Sequence, residues 1–139
     1  MLKIRPEQIE AFTPVMDAAF EGRVTKYLRE NHTDVVVRLP SGTLTVKQIP
    51  DETLHKMVRN GLTRAHRYGL SWQSTLTAFV ALMFEIAPNF DKQPVIQEVL
   101  KDERVTPNER IDVLTERTSD GDWDEAERSY NSSAWELED

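Results

Sequence analysis

Apolar residues recur at three- and four-residue steps through the first part of the chain, at Ile9, Phe12, Met16, Phe20, Val24 and Leu28. That period is the signature of a helix burying one stripe. Pro6 suits its first turn, where a missing N–H breaks no bond. Pro14 removes an internal hydrogen bond and predicts either a kink or a restart with Thr13 as cap. The pattern then changes. From Val35 to Ile49, β-branched residues crowd two arms around Pro40-Ser41-Gly42, where Pro fixes φ and Gly accepts a positive one. This predicts a small β-hairpin near residues 35–49, and a two-stranded hairpin is marginal alone, so it must lie on helices or on a partner.

Helical periodicity returns after Pro50. Asp51 and Glu52 favour a helix start, Leu54, Met57, Val58, Leu62 and Ala65 mark its buried side, and Gly69 stops it. Gly61 inside this helix costs about 1 kcal/mol relative to Ala, a cost that close approach of another helix would justify. Ser71 can cap a third helix whose Trp72, Leu76, Phe79, Val80, Leu82, Met83 and Ile86 cover more than half its circumference, which predicts a central position. Pro88 ends it. Pro94 opens a short helix with Val95, Ile96, Val99 and Leu100, and Thr106-Pro107-Asn108-Glu109 reads as a capping box ahead of Ile111 and Leu114. From Thr118 the periodicity thins, leaving Trp123, Tyr130 and Trp135 in a polar context. The expected architecture is mainly α: about five helices and a small hairpin over residues 1–117, then an acidic, aromatic-bearing C-terminal tail over residues 118–139.

Charge sharpens that boundary. The chain of 139 residues carries a net charge of −7, and residues 118–139 hold eight of its 24 acids and one of its 17 bases, leaving 16 of each in residues 1–117. All the imbalance therefore sits in the last segment. It argues against nucleic acid, whose phosphates need a surplus of Lys and Arg on one face, and favours a protein partner. The longest apolar-rich stretch, Leu76 to Ala87, carries Thr77 and Glu85 and falls short of the ~20 residues a bilayer crossing needs. With no signal-like apolar run after Lys3, the expectation is a cytoplasmic protein outside the membrane.

The candidate chemistry is sparse. No Cys is present, which removes disulfides, thiolate metal sites and cysteine nucleophiles. His55 and His66 fall about three turns apart on one helix, too far to share a metal ion, and His32 has no companion. Ser41, Ser71 and Ser74 lack a nucleophile-elbow context, and there is no Gly-rich phosphate loop. Asp120, Asp122 and Asp124 alternate like a calcium loop, but the sixth position is Glu125 and the twelfth Asn131 where Gly and Glu are required. These readings point away from catalysis, cofactors and metals. Binding chemistry is better supplied. Trp123, Tyr130 and Trp135 combine large apolar area with a polar handle, and Asp122, Asp124 and Glu125 lie among them. Lys56, Arg59, Arg64 and Arg67 line the polar side of the second helix and could receive acids from the tail or from a partner. Exposed ion pairs are worth only about 0–1 kcal/mol each, so such docking would need the aromatics as anchors. Internal strapping and partner capture both fit.

With these segments laid out, "NGLTRAHRYGL", "LTAFVALMFEIAPNFDKQP" and "VLKDERVTPNERIDVL" resemble small proteins encoded in bacterial type VI secretion clusters beside effector, effector-adaptor and spike genes. Gly61, Ala65, Tyr68, Gly69, Leu82, Met83, Phe84, Phe90, Asp91 and Pro94 carry the similarity, with "IRPEQIEAF" near the N-terminus; the tail has no counterpart, and the hairpin region is longer than usual. The resemblance implies a non-enzymatic scaffold that acts as co-adaptor or chaperone, helping an adaptor hold a toxic effector until it loads on the spike. An immunity protein that binds and neutralises the effector is the alternative it leaves open.

Overall fold

The computed structural model describes the backbone of residues 6–136 and the side chains of residues 18–136. In chain order the elements are α1 (Pro6–Asn31), β1 (Val36–Leu39), β2 (Gly42–Thr45), α2 (Asp51–Arg67), α3 (Gln73–Glu85), α4 (Pro94–Leu100), α5 (Arg110–Arg117) and α6 (Asp120–Arg128), with 3-10 turns at Val46–Gln48, Phe90–Lys92, Pro107–Glu109 and Ser132–Trp135. The molecule is thus mainly helical with one antiparallel hairpin. Helix α1 runs unbroken through Pro14, so the chain does not restart at Thr13. The side chains of Ile9, Phe12 and Met16 lie outside the described residues, as do Glu138 and Asp139. No helix among the described residues is long and apolar enough to cross a membrane.

The stripe expected of α1 is seen where its side chains are described: Phe20, Val24 and Leu28 are buried. At its end, the Arg29 guanidinium donates to the carbonyls of Val46 and Ile49, each at 2.7 Å, and to Asp51 Oδ1 at 2.6 Å. One side chain thus ties α1 to the 3-10 turn after the hairpin and to the start of α2. The hairpin pairs Val36 with Thr45 through Leu39 with Gly42. Gly42 has φ +148°, which suits glycine at the turn. Val37 faces the core and Val36 faces solvent, as alternation along a half-buried strand requires.

Helices α2 and α3 form the centre. A Cβ built on Gly61 would lie 2.8 Å from Met83 Sδ and 3.1 Å from Val80 Cγ2, so the glycine permits the close approach of α3 that its position suggests. Gly69 takes φ +93° and ends α2 as expected, with Pro107 packed where a side chain would sit. Helix α3 buries Thr75, Phe79, Val80, Met83 and Phe84, but Trp72 is 56% exposed.

The start of α3 departs from the sequence reading. Its N-cap position is Trp72, whose side chain accepts no bond, in place of Ser71. Asn108, 36 residues further on, supplies the cap: its Oδ1 accepts from Ser71 N at 2.9 Å, Trp72 N at 3.0 Å and Thr75 Oγ1 at 2.8 Å. The capping box expected at Thr106 does not form, since Thr106 makes no side-chain cap bond. Here Pro107–Glu109 is a separate 3-10 turn, and Asn108 at its middle faces another helix.

Candidate functional site

The acidic segment is helical at its start. Ser119 Oγ accepts from Asp122 N at 3.3 Å while the Asp122 carboxylate accepts from Ser119 N at 2.9 Å, a reciprocal capping box. Asp120 and Asp122 in the first turn also favour the positive end of the helix dipole. The alternating aspartates therefore lie on one helix. Trp123 is half-buried, its Nε1 donates to Thr118 Oγ1 at 2.8 Å, and its ring stacks on Phe90 at 6.2 Å. Glu125 accepts from Gln93 Nε2 at 2.9 Å, which anchors α6 to the start of α4.

Beyond α6 the chain crosses to the hairpin. Trp135 is 2% exposed, its ring tilted against Phe84 at 4.7 Å. Its indole Nε1 donates to Arg38 O at 3.1 Å and to Tyr130 Oη at 3.0 Å. The same Tyr130 oxygen accepts from Arg38 N at 3.0 Å, and the Arg38 guanidinium lies 4.1 Å from the Tyr130 ring centroid. Strand β1 thereby gains on its open side the polar partners that an unpaired strand edge lacks. Residues 118–136 are a strap packed on their own chain.

Its attachment to α2 uses neutral acceptors. Arg64 Nη2 donates to Ala134 O at 2.6 Å, and Asn60 Nδ2 donates to Trp135 O at 3.0 Å. Arg64 Nη1 donates to Pro88 O and lies 3.5 Å from Asp91 Oδ1. Asp91 is fully buried in the turn after α3, where its Oδ2 accepts from Tyr68 Oη at 2.7 Å. Burial, and then the negative charge of Asp91, push the Tyr68 phenol well above its ordinary range, so it stays protonated as the donor to Asp91. This group joins α2, the connector and the strap. Arg110 does similar work nearby: its guanidinium donates to the carbonyls of Val105, Tyr68 and Leu100, which satisfies the ends of α2 and α4.

The residues singled out in the sequence divide accordingly. Trp123, Tyr130 and Trp135 come together as anchors of the strap. Asp122 caps its own helix, Glu125 bonds Gln93 while remaining exposed, and Asp124 faces solvent, as do Asp120, Glu127 and Glu136. Among the described residues, no ion pair joins an α2 cation to these acids. Arg59 pairs with Glu21 at 3.2 Å. Lys56 is exposed beside the shallow groove that Leu39, Met57 and Trp135 line. Arg64 is taken up by carbonyls and Asp91. Arg67 lies on a separate cleft of about 710 Å³ with Arg64, Lys92, Lys101 and Arg110. Sequence reasoning missed Lys92, Lys101 and Arg110 because three different elements bring them to α2.

Among the described residues, no group of three or more His, Asp or Glu side chains is placed to hold a metal ion. Comparison of the chain with protein-family models, curated proteins and solved structures gives no match. The residues on which the expected similarity to type VI accessory proteins rests mostly serve packing: Ala65, Met83, Phe84, Phe90 and Asp91 are buried, Tyr68 and Leu82 are half-buried, Gly61 admits α3, Gly69 ends α2, and Pro94 opens α4.

Proposed function

We propose that this chain is a non-enzymatic, protein-binding accessory factor of a type VI secretion effector cluster, a co-adaptor that helps an adaptor hold a toxic effector before loading on the spike. The observation that supports it is the construction of the strap. Buried Trp135 and half-buried Trp123 and Tyr130 hold α6 in place, while Asp120, Asp124 and Glu127 point into solvent. A tail that only aids solubility needs no such anchoring. Carboxylates fixed on a docked helix keep their spacing, so a basic partner meets them without first ordering them.

Co-expression with the effector-adaptor of such a cluster should give a complex that survives size-exclusion chromatography. Replacing Asp124 and Glu127 together by Lys should weaken that complex while leaving the melting temperature of the free protein near that of the parent. Co-elution unchanged by this charge reversal would remove the strap from the interface, and no complex at all would remove the co-adaptor reading. The same acidic helix also suits a protein that neutralises a basic toxin. Deleting the gene separates the two: loss of an immunity protein exposes cells to intoxication by their sisters, whereas loss of a co-adaptor stops delivery only.

A further inference from the structure

The cleft beside Arg67 is a local reversal of the molecule's sign. The chain as a whole carries −7, yet five cations (Arg64, Arg67, Lys92, Lys101 and Arg110) and one acid (Glu103) line this concavity of about 710 Å³, and of the five only Arg64 is paired with an acid, the buried Asp91. Gathering like charges at one place raises the local potential, and a concave low-dielectric wall focuses it. Neighbouring acids would ordinarily relieve that. Here Arg67, Lys92 and Lys101 have no hydrogen-bond or ion-pair partner among the described residues, although the protein has acids in excess. Arg110 is 8% exposed; its Nε and Nη1 are engaged by carbonyls, and its Nη2 has no partner among the described residues. A guanidinium more than nine-tenths buried, on a residue that lines a cationic cleft and with one nitrogen unengaged, is a fixed donor suited to an anion.

We infer that this cleft binds a short acidic segment, rich in Asp and Glu, of a protein partner. Three observations favour carboxylates on a peptide over a nucleotide or nucleic acid. First, the aromatic ring lining the cleft is not free for base stacking: Tyr68 packs on Phe79 at 5.8 Å and its hydroxyl is held by Asp91. Second, the net charge of −7 repels an extended polyanion, while a few carboxylates feel mainly the local cations. Third, Asn131 reaches the cleft with its Oδ1 occupied by Ser133, which leaves its side-chain N–H groups to donate to a peptide carbonyl. Two lysines and an arginine at the rim can each meet one carboxylate, and the volume accommodates a few residues. The inference stands apart from the co-adaptor proposal: it concerns a different face and the opposite charge.

The test is fluorescence anisotropy with labelled hexaglutamate against the full chain at low salt, with hexaglutamine as the neutral control. Saturable binding to hexaglutamate alone is expected, weakening as salt rises, with Arg67→Glu/Lys101→Glu lowering affinity about tenfold or more. Reversal of Lys26, exposed on α1 and outside the cleft, should change it less than about twofold. Both variants alter exposed side chains, and circular dichroism would verify that they fold. Absence of binding, or equal affinity in the Arg67/Lys101 variant, overturns the inference. So does tighter binding of inorganic phosphate or of a twelve-nucleotide single strand that depends on the same two residues. Failure here with an intact adaptor complex would leave the co-adaptor proposal standing, and peptide binding without that complex would do the reverse.

Discussion

The helical body and the strap laid across it hold together in different ways. The body buries many aliphatic and phenylalanine side chains contributed by α1 to α5 and the turns between them, so its adhesion is spread over many residues. Within α6 and the turn after it only Ala126 and Trp135 are buried, and the strap is held by three aromatics and a few directed bonds to carbonyls. Apart from Glu125, which bonds Gln93, its carboxylates contribute little to that hold, Asp122 capping α6 itself. An acidic segment can therefore be structural without its charge being the adhesive. Exposed pairs are weak because water already solvates both ions well, whereas a buried indole removes a large apolar area from water.

The comparison breaks most directly at Trp135. Trp135→Ala should cost about 3–5 kcal/mol, read as a lower denaturant midpoint, a large share of the ~5–15 kcal/mol that holds a small domain together. A loss within about 0.5 kcal/mol would mean that the strap adds nothing to the body. Tyr68→Phe leaves the buried Asp91 facing Arg64 without its phenolic donor and should cost about 1–3 kcal/mol. This contact also carries a pH signature. Because the folded-state pKa of Tyr68 is raised, its contribution is complete below the unfolded value of about 10 and declines as pH rises beyond it, the unfolded chain ionising first. Stability should fall more steeply from pH 9 to pH 11 in the parent than in the Phe variant; parallel curves would contradict the burial of this phenol.

Asn108→Ala removes the cap of α3 and should cost about 0.5–2 kcal/mol, with amide exchange at Ser71 and Trp72 reporting the loss at the helix start. Asp124→Asn with Glu127→Gln forms the opposite pole: the melting curve should stay within about 0.5 kcal/mol of the parent. If that pair instead destabilised as much as Trp135→Ala, charge and not apolar anchoring would hold the strap.

Periodicity made the body legible. The stripes of α1 and α2, the hairpin around Pro40-Ser41-Gly42, and the roles of Gly61 and Gly69 all follow from local rules that need no knowledge of the rest of the chain. The cap of α3 was hidden because Asn108 acts across 36 residues, and a better local candidate, Ser71, stood beside the helix. Helix α6 escaped notice for another reason. It buries a single alanine fully, so no apolar stripe announces it, although Ser119 and Asp122 at capping spacing and Trp123, Ala126 and Tyr130 at helical steps were available signals. Arg64 and Arg67 read alike in sequence, as two cations on one helix. They line the same cleft with different fates, Arg64 bonded to two carbonyls and paired with Asp91, Arg67 without a partner among the described residues, because distant turns bring their oxygens to one and not the other.

The bond from the Trp135 indole to Arg38 O spans 97 residues, and it sets a timetable for biosynthesis. A ribosome delivers the hairpin well before the residue that covers its outer strand. Throughout that interval the nascent chain exposes strand backbone able to pair with other polypeptides. Sealing of this β element therefore waits for Trp135, and slowed elongation between the two segments would lengthen the period in which the newborn molecule is vulnerable to mispairing.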